Sequence, residues 1–241
     1  MASSTISLDD MTRYVRRFVF NNPLIYSGTN DPARNMANWV RNTILQPPFA
    51  WRWNRATTTI TLIAGTQDYQ KNLPTFGWLE SATAIDTVDT PNLAVKMQIS
   101  LNDETEIAES QPSRIAARLD DGNGNITFRV TPPPTANFTV ANLTYQNASP
   151  KFVNMSDTWA PIPDYFSNIY QMGMLAKAYE FTGDERYAPT LQMFIRSLVA
   201  ANGGLTETQV NIFSAEFAIT PLTTQNMAQN AQSSNQSRNL M

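Results

Sequence analysis

Arg114-Ile115-Ala116-Ala117-Arg118-Leu119-Asp120-Asp121-Gly122-Asn123-Gly124-Asn125-Ile126-Thr127-Phe128-Arg129-Val130 decides how this chain must be read. Its centre, Asp120 to Asn125, is the strongest turn signal in the sequence, because Gly and Asn accept the positive φ that hairpin turns demand. Both flanks suit strands: Arg114 to Leu119 before the turn, Ile126 to Val130 after it. Reading outward, Leu93 to Ile99 and Leu79 to Ile85 are further strand candidates. Thr57 to Ile63 alternates with period two and is rich in β-branched residues. Gly65-Thr66-Gln67-Asp68-Tyr69 reads as a turn into a short extended piece. After Pro132-Pro133-Pro134, Asn137 to Gln146 forms the last strand, with Phe138, Val140 and Tyr145 among its apolar members. About six short strands with turn punctuation predict an antiparallel β-sandwich or barrel-like domain.

Helices flank this β segment. Ser7-Leu8-Asp9-Asp10 is a capping box, and Leu8, Met11, Val15, Phe18 and Val19 follow at helical spacing until Asn21-Asn22-Pro23. Asp31 suits an N-cap with Pro32 at the first helical position. Ala33, Met36, Ala37, Val40 and Ile44 then make a second stripe, ended by Pro47-Pro48. Beyond the β segment, Asp164 is placed to cap a helix carrying Phe166, Ile169, Met172, Ala176 and Tyr179, with Gly183 as its C-terminal cap. A fourth helix carries Tyr187, Leu191, Phe194, Ile195 and Leu198 and closes at Asn202-Gly203-Gly204. Two short N-terminal helices cannot make a core alone. The economical solution is therefore α+β: a helical bundle of four main helices with an inserted antiparallel β domain. The boundaries fall at residues 1–50 for the N-terminal helices, 51–150 for the β domain, 151–204 for the C-terminal helices and 205–241 for an extended C-terminal arm.

The arm opens with Thr206-Glu207-Thr208-Gln209, another possible capping box, and keeps Val210, Ile212, Phe213 and Phe217. From Pro221 to Met241 it is Gln, Asn, Ser and Thr with one charged side chain, Arg238. Such a segment buries too little apolar surface to fold alone, and extended it reaches roughly 70 Å. Two readings stand side by side: a loose terminus, or a segment that folds on a partner through Phe213, Phe217, Leu222, Met227 and Leu240.

Composition limits the chemistry. The 241 residues include no cysteine and no histidine. That removes disulfides, thiolate and imidazole metal sites, and Ser-His-Asp or Cys-His catalysis. Charged residues make up 15 %, with 17 Lys+Arg against 20 Asp+Glu for a net charge of -3, a poor basis for gripping phosphates. The expectation is a soluble protein made in a cytoplasm, with no membrane anchor, no cofactor and no metal, since neither a signal peptide nor a membrane-length apolar run is evident.

Three groups of residues invite a chemical reading. Asp103, Glu104, Glu106 and Glu109, with Asp120, could supply the paired carboxylates of a glycosidase, but a solvated loop is the simpler reading. Asp120 to Asn125 begins like a calcium loop, yet counted from Asp121 the sixth position is Ile126 and the twelfth Pro132, so a hairpin turn fits better. Phe49, Trp51 and Trp53, with Phe76 and Trp78 later, could stack on sugars in a carbohydrate- or receptor-binding module. Alternatively they form a hinge core between bundle and β domain, with Arg52 stacked between Trp51 and Trp53. Arg13, Arg16 and Arg17 form a small basic patch that suits a solvated face or a subunit contact.

Several stretches together carry a resemblance. They are Pro48-Phe49-Ala50-Trp51-Arg52-Trp53-Asn54, Gly65 to Tyr69, Leu73-Pro74 with Phe76-Gly77-Trp78-Leu79-Glu80, Pro112 to Ala116, Gly124 to Arg129, Trp159 to Asp164 and Gly204 to Thr208. From about Leu8 to Phe217 the chain resembles the head-to-tail adaptor (connector) proteins of tailed bacteriophages, especially short-tailed ones. The resemblance implies a virion protein of the neck, assembled as a ring of twelve copies beneath the portal protein and continuing the channel through which DNA leaves without specific binding. It further implies an arm that docks on the portal, here through Phe213, Phe217, Leu222, Met227, Arg238, Leu240 and Met241. The β domain would then face the next tail component, a nozzle or tail tube, and the protein would not be an enzyme.

Overall fold

The computed structural model describes residues 4–19, 31–88, 93–100 and 108–217. The helices are α1 (Leu8–Arg16), α2 (Asp31–Leu45), α3 (Ser167–Thr182), α4 (Tyr187–Ala201) and α5 (Glu207–Glu216). The strands are β1 (Arg55–Thr61), β2 (Asp68–Asn72), β3 (Phe76–Asp86), β4 (Leu93–Ile99), β5 (Arg114–Asp120), β6 (Asn125–Thr131) and β7 (Phe138–Asn147). The chain divides into two compact units: Leu45–Pro150, and a helical unit made from the segments before and after it.

In the helical unit the Ser7 capping box forms as its sequence dictates: the Asp10 amide donates to Ser7 Oγ at 3.1 Å and the Ser7 amide to Asp10 Oδ2 at 3.0 Å. The two halves of the unit, far apart in sequence, are laced by main-chain bonds. Leu8 N donates to Asp157 O at 2.9 Å, Asp9 N to Met155 O at 2.9 Å, and Trp159 N to Ile6 O at 3.0 Å. Helix α3 is buried along much of its length, through Tyr170, Met174, Ala176 and Tyr179, which makes it the centre of the unit. Gly173 lets α2 and α4 approach: a Cβ there would lie 2.8 Å from Val40 Cγ1 and 3.0 Å from Phe194 Cε2. Gly183 ends α3 at φ 67°, the left-handed cap its sequence position called for.

Asp164 does not cap α3, contrary to expectation. A 3₁₀ turn, Asp164–Phe166, precedes the helix, whose N-cap Phe166 makes no side-chain bond. The Asp164 carboxylate instead accepts from Ser4 Oγ at 2.7 Å, Thr5 Oγ1 at 2.6 Å and Thr5 N at 3.1 Å. These donors, the Thr5 hydroxyl foremost, hold its pKa below the usual carboxylate range. A distant partner has won over the local one, tying the N-terminal segment to the start of α3.

Part of the C-terminal segment is helical rather than extended. Residues 207–216 form α5, capped reciprocally by Thr206 and Gln209, so the segment from 205 is not wholly an extended arm. Five helices are present among the described residues rather than four.

The β unit is a seven-stranded sheet in the order β1-β7-β3-β4-β5-β6-β2, curled into a nearly closed barrel. The side chains of Leu79, Ala84, Met97, Ile115, Phe128, Ala141 and Leu143 fill it. At the gap between the edge strands, Tyr69 of β2 accepts from Ile63 N at 3.2 Å and donates to Thr66 O at 2.6 Å, just past the end of β1. The barrel is mixed, not purely antiparallel as expected. The β4–β5 pair is parallel, Gln98 facing Arg114 and Ile99 facing Ile115, because the connection from 100 to 113 is long enough to return the chain in the same direction. Gly77 sits at a register shift in β3 where a Cβ would meet Ala148 N and Gln146 O at 2.8 Å, so only glycine fits.

Two stability measurements check this packing. Gly173→Ala adds about 1 kcal/mol of helix propensity but overpacks against Val40 and Phe194 at a cost of about 1–3 kcal/mol, so the denaturation midpoint should fall rather than rise. Asp164→Asn should lower the melting temperature at pH 7. Since the folded carboxylate has the lower pKa, its stabilisation is present above about pH 3.9 and lost on further acidification, so the gap between variant and parent should close there.

Candidate partner-binding surfaces

The aromatic cluster of the β unit is built on the segment that leads into β1. Phe49 and Trp51 stack with centroids 5.9 Å apart, and Trp51 and Trp53 stack at 5.6 Å and 16°. The two indoles therefore face each other directly, with no layer between them for a guanidinium, and Arg52 is exposed; the expected Arg52 sandwich does not form. Trp51 is only 4 % exposed and offers no face to a sugar. Phe76 lies instead against Phe128 and Tyr145 of the barrel core, at 5.6 and 5.4 Å. Trp78 donates from Nε1 to Leu45 O at 3.2 Å.

Polar side chains lock this cluster. Gln146, fully buried, accepts from Trp51 N at 3.2 Å and donates to Glu80 Oε2 at 2.7 Å. Glu80 in turn pairs with Arg55. Asn54 and Asn147 exchange side-chain to backbone bonds of 2.9 and 2.8 Å. The Gln146 amide and the Asn54 and Asn147 NH₂ groups are thus paired, while the buried Asn54 Oδ1 has no hydrogen-bond partner among the described residues.

Among the described residues, the acidic candidates Glu109 and Asp120 do not meet as a hydrogen-bonded pair. Asp103, Glu104 and Glu106 lie outside the described residues; Glu109 and Asp120 are both exposed. Asp120 accepts from Gly122 N at 2.8 Å, and Asp121 from Asn123 N and Asn125 N at 2.8 and 3.1 Å, with Gly122 and Gly124 at positive φ. The Asn125 side-chain amide, donating to Asp121 Oδ2 at 2.7 Å, lowers the Asp121 pKa most, followed by the Asn123 and Asn125 backbone amides, and together they make the stretch the hairpin turn its composition suggested. Among the described residues no group of three acidic side chains could hold a metal, and no helix is long and apolar enough to cross a membrane. Arg13 of the basic patch pairs with Asp9 at 2.6 Å on the solvated face of α1.

Apolar surface is more suggestive. Ile63, Val88 and Leu93 are 61, 65 and 51 % exposed, all at the barrel end opposite Arg55 and Asn147. A groove of about 530 Å³ in the same unit runs between β3 and β5, past Trp78, Ile99, Ala117 and Arg118. The helical unit has its own groove of about 530 Å³ between α2 and α3, floored by Met36, Trp39 and Phe181.

Of the residues expected to bind a partner at the C-terminus, Phe213 is 1 % exposed and belongs to the helical core, because α5 packs its apolar face inward. Phe217 is half-buried, its ring 5.0 Å from Phe213 and 6.1 Å from Trp39. Leu222, Met227, Arg238, Leu240 and Met241 lie outside the described residues.

Sequence reasoning passed over three residues that matter. Arg41 is 2 % exposed, its guanidinium 3.4 Å above the Phe152 ring and donating to Thr158 O. Burial lowers its pKa to about 10, against the pull of Asp157. Its position was readable: Ala37, Arg41 and Ile44 share one helical stripe. Gln146 and Trp39 carried no comparable signal, since an amide ending a strand and an aromatic on a helix flank are ordinary surface residues until the partners are known.

The model of the SU10 adaptor protein family matches residues 6–217. No curated protein matches the chain.

If Trp51 is a packing residue, Trp51→Ala should cost about 3–5 kcal/mol in denaturant unfolding, as large core truncations do. A variant that kept full stability and lost affinity for a glycan array would restore the sugar-stacking role.

Proposed function

Because this chain belongs to the SU10 adaptor protein family, a family of phage head-tail adaptors, we propose that it joins the portal to the tail in the virion, as a structural part and not an enzyme. In this reading the copies form a closed ring, of twelve as in the connectors it resembles, that continues the DNA channel. Heterologous contacts repeated around a rotation axis leave no exposed end. The net charge of -3 suits a wall along which DNA slides without being held.

The segment beyond Phe217 is the arm that docks on the portal, with Leu222, Met227, Arg238, Leu240 and Met241 as its anchors; Phe213 and Phe217 serve as its base. The observation that carries this assignment is the extent of the family match: it stops at 217, and 24 residues follow it, of which one is charged. The β unit presents Ile63, Val88 and Leu93 to the next tail component, a nozzle or tail tube, since an exposed apolar rim of this kind gains most by being covered. The Phe49–Trp51–Trp53 stack stiffens the segment that leads into β1, whereas Phe76 belongs to the barrel core. Buried Trp51 weighs against the alternative of a carbohydrate- or receptor-binding module. The protein would be made in the host cytoplasm and end in the neck of the particle.

Electron-microscope images of the purified protein with and without isolated portal test the reading. A symmetric ring that appears on the portal is expected; a protein that never joins the portal overturns it. Truncation after Thr220 should leave the melting temperature within a degree or two of the parent, because α5 and the packing of Phe213 and Phe217 are kept, while loading onto portal-bearing heads is lost. Normal loading by the truncated chain would rule out the arm.

A further inference from the structure

The outer faces of α1 and α5 have no role in the reading above. Beside α1, Tyr14 and Phe18 lie with ring centroids 5.1 Å apart, and Phe18 is 40 % exposed. Arg13 and Arg17, four residues apart, are exposed next to them. Arg13 is paired with Asp9, but the Arg17 side chain has no partner among the described residues.

Helix α5 presents the opposite charge. Thr208, Ile212 and Glu216 follow at four-residue steps on its exposed face, and Ile212 is 62 % exposed. Glu216 sits in the last turn, where the helix dipole disfavours a carboxylate, and that turn holds no basic residue. Its carboxylate has no partner among the described residues. An anion so placed gains from a cation brought from outside, and an isoleucine held in water one turn away gains from an apolar cover. The outer face of α1 carries both, an unpaired cation and an exposed aromatic ring.

Both faces stay exposed in a single copy, so neither covers the other within one chain. Pairing either face with itself would set like charges together. Pairing one with the other, copy to copy, is the heterologous contact that closes a ring. We propose that the Tyr14–Phe18 face of one copy packs on Ile212 of its neighbour, with Arg17 paired to the neighbour's Glu216. An apolar centre with a charged rim is the usual anatomy of such a contact. The inference rests on the ring reading and adds to it the surfaces by which the copies recognise one another.

Charge reversal on isolated portal tests the pair. Arg17→Glu and Glu216→Arg should each raise the protein concentration for half-maximal ring formation about tenfold or more, without lowering the melting temperature, because one repulsion recurs at every junction. Both reversals in the same chain restore opposite charges and should return that concentration to within about threefold of the parent. With no native cysteine, chains carrying Phe18→Cys can be mixed with chains carrying Ile212→Cys, loaded and oxidised. Mass spectrometry should then find bridges joining position 18 to position 212. Rings that tolerate either reversal, a double variant no better than the singles, or bridges chiefly between like positions would overturn this contact and leave the ring reading standing. A parent chain that never forms a ring on the portal would remove the ring reading and this contact with it.

Discussion

The helical unit depends on a buried cation. Arg41 of α2 lies among Phe152, Trp159 and the Thr158 carbonyl, groups just beyond the β unit and more than a hundred residues after Arg41 in the chain. A guanidinium taken from water is costly unless its charge is met, and here a ring face at 3.4 Å, a carbonyl and the field of Asp157 meet it. The arrangement cannot form until both halves of the unit are together. Trp159 then stacks flat on Tyr170 of α3 at 4.4 Å, so the cation, the linking segment and the central helix form one continuous layer. Phe152 N bonding to Asn38 Oδ1 at 2.8 Å and Arg34 to Val153 O at 3.0 Å extend the same seam along α2.

An inserted domain needs its two chain crossings held, and the β unit does this with polar groups on its own side. Gln146 and Asn147 end β7, and both reach back to the segment leading into β1: Gln146 to Trp51 N, Asn147 to Asn54. The incoming and outgoing strands are also direct neighbours, Arg55 facing Gln146 in the β1–β7 ladder. The barrel thus ties its incoming and outgoing strands together with its own polar groups, a way for about a hundred residues to sit inside another unit's sequence.

Local signals carried far in this sequence. The capping boxes at Ser7 and Thr206, the left-handed Gly183 and the Asp120–Asn125 turn all depend on residues within four positions of one another, and all formed as read. Strand β4 matches its expected limits, Leu93 to Ile99. What failed was non-local. Asp164 looked like a cap because nothing nearby revealed Ser4 and Thr5 as competitors 160 residues away. The parallel β4–β5 pair was hidden because a strand carries its periodicity but not the direction of its neighbour. Phe213 was read with the tail because a ten-residue helix of mixed composition gives a weak stripe, and its burial is decided by the unit it packs on.

The partner surfaces were least legible, for a physical reason. An apolar residue that waits for a partner has the same sequence signature as one that fills a core; only exposure separates Ile63, Val88 and Leu93 from Ile60, Ala84 and Met97 a few positions away. The pattern of exposure is itself an argument. A single soluble copy gains nothing from apolar side chains held in water at the tip of a barrel whose interior is otherwise well filled, and substitution by polar residues there would cost the fold little. Such residues make sense where burial arrives with assembly, and on the proposed reading each exposed patch is repeated once per copy around a ring. Weak contacts of this kind become strong by multiplicity, because partners held in one frame bind all the copies at once. A protein whose task is joining can therefore dispense with tight local chemistry, leaving the fold to present shape and the symmetry to supply affinity.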